Sequence, residues 1–335
     1  CDSDWSSDVC SSDLHQPPLT ISKMEYQGSI EKLRENIERV FVGRREVIDL
    51  SLAALFSGGH LLIDDLPGVG KTTLAKALAF SIGGASKRVQ FTPDLLPTDI
   101  TGVNVYVHQK NEFNFHPGPI FTNIFLADEI NRATPRAQSS LLEAMEETQV
   151  SVDGKVYPLD PPFMVIATQN PVEIQGTFPL PEAQLDRFMI SLSIGYPARE
   201  LETRILDDRA GDEPLRNLEP VLSLEDIQEI AASASRVRID NSVKQYIIDI
   251  SEASRNRDEI LIGASPRASL SLMYTARTRA MLDGRDFVTP EDVKAMAPAT
   301  LAHRLIIRHS TRLNLERNRG VVETILGEVP VPRPR

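Results

Sequence analysis

Residues 60–81 read HLLIDDLPGVGKTTLAKALAFS, and the fold turns on this stretch. The apolar run Leu61-Leu62-Ile63 has the make-up of a buried strand. It ends in a loop with two glycines, which opens into good helix formers whose apolar members Leu74, Ala77, Leu78 and Ile82 keep helical spacing. Strand, phosphate loop and helix follow from that order. A polyphosphate needs dense hydrogen-bond donors, and backbone N–H groups at the positive end of a helix supply them. In Pro67-Gly68-Val69-Gly70-Lys71-Thr72, Gly68 and Gly70 flank Val69 and let the backbone come close. Lys71 is expected to reach the β- and γ-phosphates as a point charge, and the Thr72 hydroxyl to hold a magnesium ion. Thr73 is a secondary candidate. The pattern G-x-x-x-x-G-K-[ST] asks for glycine at position 65, where this chain carries Asp65. The bland alternative is a glycine-rich turn before an ordinary helix, and context decides between the two.

That context lies downstream. Ile124-Phe125-Leu126-Ala127 is a second apolar run, and it ends in Asp128-Glu129. The first carboxylate suits the magnesium shell and the second suits orienting or deprotonating an attacking water. A bare Asp-Glu pair is usually a solvated loop start. Its position after a strand and downstream of a phosphate loop favours chemistry. Met164-Val165-Ile166-Ala167-Thr168 is a third strand, delivering Asn170 at its end, where an amide can face the attacking water or γ-phosphate; an Asn-Pro turn explains the residue equally well. Arg187 precedes a fourth strand, Met189 to Ile194. Arg187 and Arg267 are candidates for neutralising transition-state charge, since a guanidinium fork matches phosphate oxygens.

The flanking segments complete an alternating chain. Helices are expected over Ser29 to Val40, Glu46 to Phe56 and Pro135 to Glu147, the last with Thr134-Pro135 as N-cap and first-turn pair. Arg88 to Phe91 reads as a short strand. Alternation at 103–107 and 113–115, and again over 149–157 around Asp153-Gly154, predicts two hairpins. Asp99-Ile100-Thr101-Gly102 matches the D-x-x-G of GTPases by chance, because no apolar strand precedes it and no N-K-x-D occurs. Strands alternating with helices imply an α/β fold, a parallel sheet with helices on both faces and ligands at the carboxyl ends of the strands. After Tyr196-Pro197 the pattern turns helical, with helices expected over 198–208, 223–234, 241–255, 266–283 and 290–296. The domain reading is therefore 24–196 for the α/β part, 197–327 for a small all-helical lid and 328–335 for a Pro-rich tail.

The totals agree with this reading. A chain of 335 residues, 25% charged and 41% hydrophobic, is long enough for about two domains. It has no apolar run of about 18 residues, so no membrane span is expected. The net charge of -11 weighs against a partner held through a nucleic-acid backbone. Cys1 and Cys10 lie in the first ten residues, so the remainder can form neither a disulfide nor a thiolate metal site, and a reducing cytoplasmic setting is expected. Residues 1–14, CDSDWSSDVCSSDL, resemble a translated adapter fused to a reading frame. They are expected to be non-native and disordered.

In order, the segments GVGKT, FLADEINR at 125–132, ATQNP at 167–171, PEAQLDRF at 181–188 and GASPRAS at 263–269 resemble the MoxR family of AAA+ ATPases. The resemblance spans roughly Ile30 to Ala302. It implies a P-loop AAA+ domain followed by a helical lid, ATP and Mg2+ as ligands, and a homo-oligomeric ring, usually a hexamer. It implies Walker A at Gly68, Gly70, Lys71 and Thr72, Walker B at Asp128 and Glu129, and sensor 1 at Asn170. Arg187 then resembles the arginine finger and Arg267 sensor 2, while Val42 and Gly43 resemble the segment against adenine. The hairpins resemble the helix-2 and pre-sensor-1 insertions. The implied function is a chaperone-type ATPase that remodels partner proteins, often through a partner with a von Willebrand A domain. A nucleic-acid motor, a P-loop small-molecule kinase and a nucleotide-binding scaffold without turnover are the rivals.

Overall fold

The computed structural model describes residues 23–170, 176–197, 199, 201–203, 215, 218–308 and 314–332. The segment 1–14 and most of the helix expected over 198–208 lie outside these residues. The strands are β1 (Leu61–Asp64), β2 (Ser86–Gln90), β3 (Gly102–Val107), β4 (Glu112–Pro117), β5 (Ile124–Asp128), β6 (Gln149–Val152), β7 (Lys155–Pro158), β8 (Met164–Gln169), β9 (Ile190–Leu192), β10 (Ile260–Ile262) and β11 (Ile306–Ile307). The helices that bear on the site are α1 (Lys23–Glu38), α2 (Arg45–Phe56), α3 (Lys71–Ser81), α4 (Pro97–Thr101), α5 (Pro135–Glu147) and α6 (Glu182–Leu185).

Five strands form one sheet in the order β2-β5-β8-β1-β9, and each neighbouring pair is parallel. The apolar runs are continuous because the central strands are covered on both faces. Leu61, Ile63, Ile124, Leu126, Met164 and Ile166 join one buried cluster with α1, α2, α3 and the lid helices. Their neighbours Leu62, Phe125, Ala127, Val165 and Ala167 point the other way, into a second cluster with Ile100 of α4 and Leu141 and Leu142 of α5. The period of two along a strand therefore divides one apolar run between two cores.

Both expected hairpins are present: β3 pairs antiparallel with β4 and β6 with β7. Asp153 and Gly154 both have positive φ, +49° and +77°, as a tight two-residue hairpin turn requires. Phe115 stacks on Tyr157 at 3.9 Å between ring centroids and so joins the two hairpins.

The lid holds α7 (Leu224–Arg236), α8 (Asn241–Arg255), α9 (Pro266–Leu282), α10 (Pro290–Leu301) and α11 (Leu315–Glu328). Side-chain caps fix four of the five starts, and at α10 the Asp292 carboxylate instead accepts the Thr289 N–H. Ser223 Oγ accepts the Asp226 N–H, Asp240 the Ser242 N–H, Ser265 Oγ the Ala268 N–H and Asn314 the Arg317 N–H. Several features differ from the sequence expectation, among them an α1 that begins at Lys23 rather than Ser29 and the short helices α4 and α6. The lid carries a small antiparallel pair, β10 with β11, strands too short for alternation to register. The helix expected to end at Met296 runs through Pro298 to Leu301, because the Pro298 carbonyl still accepts the Ala302 N–H. Helix α11 was not anticipated; its buried Leu315, Val322 and Ile325 are too sparse for a clear apolar stripe. Thr134 precedes α5 in an extended conformation without capping through its side chain, and Pro135 supplies the start.

One buried cation joins lid to sheet. The Arg304 side chain is 2% exposed. Its Nε donates to Asp186 Oδ1 at 2.7 Å and its Nη2 to Phe188 O at 2.7 Å, Asp186 O at 3.1 Å and Ser271 Oγ at 3.0 Å. Its Nη1 donates to Met189 O at 3.2 Å and also to Thr300 O. Burial pulls the guanidinium down to about 10, with Asp186 opposing, so it stays charged at neutral pH. Asp186 Oδ2 also accepts the Ser265 hydroxyl at 2.8 Å. Asp186→Ala would leave this cation uncompensated, and we expect a loss of about 3–5 kcal/mol in urea unfolding. A loss under about 1 kcal/mol would show the pair to be dispensable.

His60 is buried where β1 begins. Its Nδ1 accepts the Val165 N–H at 3.0 Å and its Nε2–H donates to Met145 O at 3.0 Å. Burial lowers its pKa to about 4. The unfolded chain takes up a proton near pH 6.5 that the folded chain refuses until about pH 4, so stability falls as pH drops through that window. From pH 7 to pH 5 the His60 share is about 2 kcal/mol. The parent should therefore lose about 2 kcal/mol more than His60→Gln over that step in urea titrations. Equal losses would contradict a neutral buried imidazole.

Candidate functional site

The loop after β1 turns on two left-handed glycines, Gly68 at φ +87° and Gly70 at φ +98°, and Lys71 begins α3. Here the glycines are required by backbone conformation as well as by close approach. Lys71 is 9% exposed. Its Nζ donates to Asp65 O at 2.6 Å and to Gln169 O at 3.5 Å. Burial pulls the ammonium below the usual lysine range, and Asp65, Asp128, Asp64 and Glu129 oppose that in decreasing order. Thr72 and Thr73 follow in the first turn of α3, half-buried. The Phe41 ring connects this loop to Val42 and Gly43: a Cβ on Gly70 would lie 3.5 Å from it and one on Gly43 only 2.4 Å. The structure thus brings the predicted Val42-Gly43 segment to the phosphate loop.

Asp128 ends β5, and Thr168 of β8 lies beside it. Thr168 Oγ1, fully buried, donates to Asp128 Oδ1 at 2.5 Å and accepts the Glu129 N–H at 2.9 Å. Arg88 of β2 donates to Asp128 Oδ2 through Nε at 2.9 Å and Nη2 at 2.7 Å. Glu129 stands at φ +57°, a conformation rare outside glycine and costing on the order of 1–3 kcal/mol. Its carboxylate accepts Gln90 Nε2 at 2.7 Å and pairs with Arg132 at 3.3 Å. Asn170, 6% exposed, follows β8 directly. Because β8 lies between β1 and β5, Lys71, Asn170 and the Asp128-Glu129 pair share one edge of the sheet.

The two arginines share the other edge. Strands β1 and β9 are parallel, and Arg187 precedes β9 whereas Lys71 follows β1. Arg187 Nη2 pairs with Glu146 Oε2 at 2.9 Å, and Arg267 bonds the other oxygen of the same carboxylate. Glu146 follows Met145, whose carbonyl meets His60 at the start of β1. The structure therefore brings Arg187 and Arg267 together, and it does so away from Lys71, with about 13 Å of strand between the two edges.

Several residues escaped the sequence reading. Arg88, Gln90 and Thr168 hold the carboxylates, and strand alternation alone could have pointed to Thr168. Glu146 and Arg304 lie far from their partners in sequence and leave no local signal. Asp64 is pushed up to about 6 by burial, with Lys71 opposing and Arg319 of the lid contributing on the same side. Arg319, a lid cation not singled out from sequence, also donates to Ser191 O in the middle of β9 at 3.3 Å.

Residues 60–190 match the family described as ATPase family associated with various cellular activities (AAA), and residues 252–325 match an AAA lid domain. The chain is 47% identical to the Bacillus subtilis uncharacterized protein YeaC over 313 residues, covering 92% of this chain and 98% of that protein. It is 37% identical to the chaperone MoxR1 of Mycobacterium tuberculosis, covering 91% and 83%. The crystal structure of a proposed ATPase from Cytophaga hutchinsonii superimposes with a TM-score of 0.84 at 36% identity, covering 93% of this chain and 97% of that one. Likeness of this extent, with sheet and lid segments in the same order, shows that the chain belongs to the MoxR family of AAA+ ATPases.

Proposed function

We propose that the chain hydrolyses ATP at the carboxyl edge of its sheet, as one subunit of a homo-oligomeric ring, and uses the turnover to remodel partner protein complexes in the cytoplasm. In this reading residues 24–196 hold the nucleotide and 197–327 form the lid. The observation that carries it is the clustering of Lys71, Asn170, Asp128 and Glu129 on one sheet edge. The donor set suits a polyphosphate: two left-handed glycines and a buried ammonium that bonds only carbonyl oxygens among its described hydrogen bonds. Thr72 and Asp128 would hold Mg2+, which supplies charge neutralisation at the phosphate oxygens. Glu129 orients the attacking water and takes its proton, with Gln90 and Arg132 fixing the carboxylate. Asn170 bonds the same water or the γ-phosphate. Val42 and Gly43 line the adenine side.

Arg187 and Arg267 act on a neighbour's nucleotide. Both pair with Glu146 on the edge opposite their own phosphate loop, which supports action in trans for each. Contact with partner proteins falls to the hairpins, where Val103, Val105, Tyr106 and Phe113 of β3–β4 and Val156 of β7 are exposed apolar side chains. A protein partner, including one with a von Willebrand A domain, fits that surface better than nucleic acid does, given the net charge of -11. A kinase would need an acceptor in place of water, and the fixed Glu129 favours water.

Glu129→Gln should bind Mg·ATP like the parent yet hydrolyse it at least about a hundredfold more slowly. Phosphate release at the parent rate would remove Glu129 from the chemistry.

Arg187→Ala should bind ATP normally and lose on the order of 10³ or more in rate. Mixed with Lys71→Ala subunits, it should recover activity, because one interface then pairs an intact phosphate loop with an intact Arg187. Mixed rings no more active than the sum of their parents would contradict action in trans.

A further inference from the structure

Asp65 departs from the phosphate-loop pattern, and no left-handed backbone calls for glycine there. Its side chain is 6% exposed, and its carboxylate makes three hydrogen bonds. Oδ1 accepts the Leu66 N–H at 2.8 Å, while Oδ2 accepts the Ser193 hydroxyl at 3.1 Å and the Gly195 N–H at 2.7 Å. The backbone is equally engaged: its N–H donates to Gln169 O at 3.1 Å and its carbonyl accepts Lys71 Nζ at 2.6 Å. One residue thus connects the start of the loop, the lysine, the end of β8 and the chain leaving β9 toward Tyr196-Pro197. Glycine would keep only the backbone bonds. The bonds it would lose are charge-assisted, the stronger kind, and partly buried. Asp65 also leads the carboxylates that offset the burial of Lys71.

We propose that Asp65 is a positioning residue that clamps the phosphate loop to the exit of β9, presetting Lys71 for the phosphates and tying nucleotide binding to the segment that leads into the lid. The proposal rests on the nucleotide-binding reading above. It makes the departure from glycine a functional replacement rather than a tolerated variation.

The test compares the full-length parent with Asp65→Gly, which restores the pattern's glycine, and Asp65→Asn, which keeps one acceptor oxygen. Steady-state ATPase and titration with Mg·ADP are the readouts. In Asp65→Gly the KM for ATP and the Kd for ADP should each rise about tenfold, with kcat at saturating ATP within about threefold of the parent. Asp65→Asn should fall between the two. A merely structural role would shrink the active fraction and lower kcat at unchanged KM. That outcome overturns the proposal, as does glycine binding nucleotide as tightly as aspartate. A parent that binds no Mg·ADP would instead overturn the nucleotide reading itself, and the proposal with it.

Discussion

Backbone hydrogen bonds from Met164–Gln169 run to Ile124–Asp128 on one side and to Leu61–Asp64 on the other. This placement of β8 puts Thr168 beside Asp128 and Gln169 beside the phosphate loop, so three loops distant in sequence meet on one edge. A slip of one residue in either ladder would turn Leu62, Phe125 and Val165 toward the wrong core. The cost of exchanging apolar side chains between two filled cores fixes the register, and the register fixes the site. Its charges are arranged on that frame: a buried ammonium on carbonyls, the Asp128 carboxylate between a hydroxyl and a guanidinium, and a second carboxylate held in a strained backbone conformation.

The opposite edge is organised by a different interaction. Arg304 enters from the lid and bonds the turn Asp186 to Met189, while Ser265, the cap of the helix carrying Arg267, bonds Asp186 as well. The lid therefore sets the backbone on which both arginines stand. Glu146 then gathers their side chains into one cluster. Because parallel strands keep their two ends apart, this cluster stands away from the phosphate loop of its own chain, which favours the proposed action on a neighbour. In the proposed reading each edge carries half of a catalytic site, and a ring would close the halves together.

Much of this was legible in the sequence because the relevant signals are local. Gly68, Gly70, Lys71 and the apolar run before them are contiguous, as are Ile124 to Glu129, and strand-helix alternation implied a parallel sheet with carboxyl-end ligands. What escaped depends on contacts distant in the chain. Gln90 and Arg88 matter only because β2 pairs with β5, and Glu146 only because α5 ends near the turn before β9. Asp65 looked like a defect in a motif, since its partners Ser193 and Gly195 lie over a hundred residues away. In the lid, β10 and β11 are too short to alternate, and α11 shows too few apolar positions to announce itself.

The division of the site between two sheet edges is tested most directly by a crystal structure of the Glu129→Gln chain with Mg2+ and ATP. The account predicts the polyphosphate against the backbone of Gly68 to Thr72, with Lys71 Nζ moved from the Asp65 carbonyl to phosphate oxygens. It also predicts that the guanidinium at the γ-phosphate belongs to Arg187 of an adjacent subunit. A nucleotide bound elsewhere, or Arg187 reaching the γ-phosphate of its own chain, would contradict it.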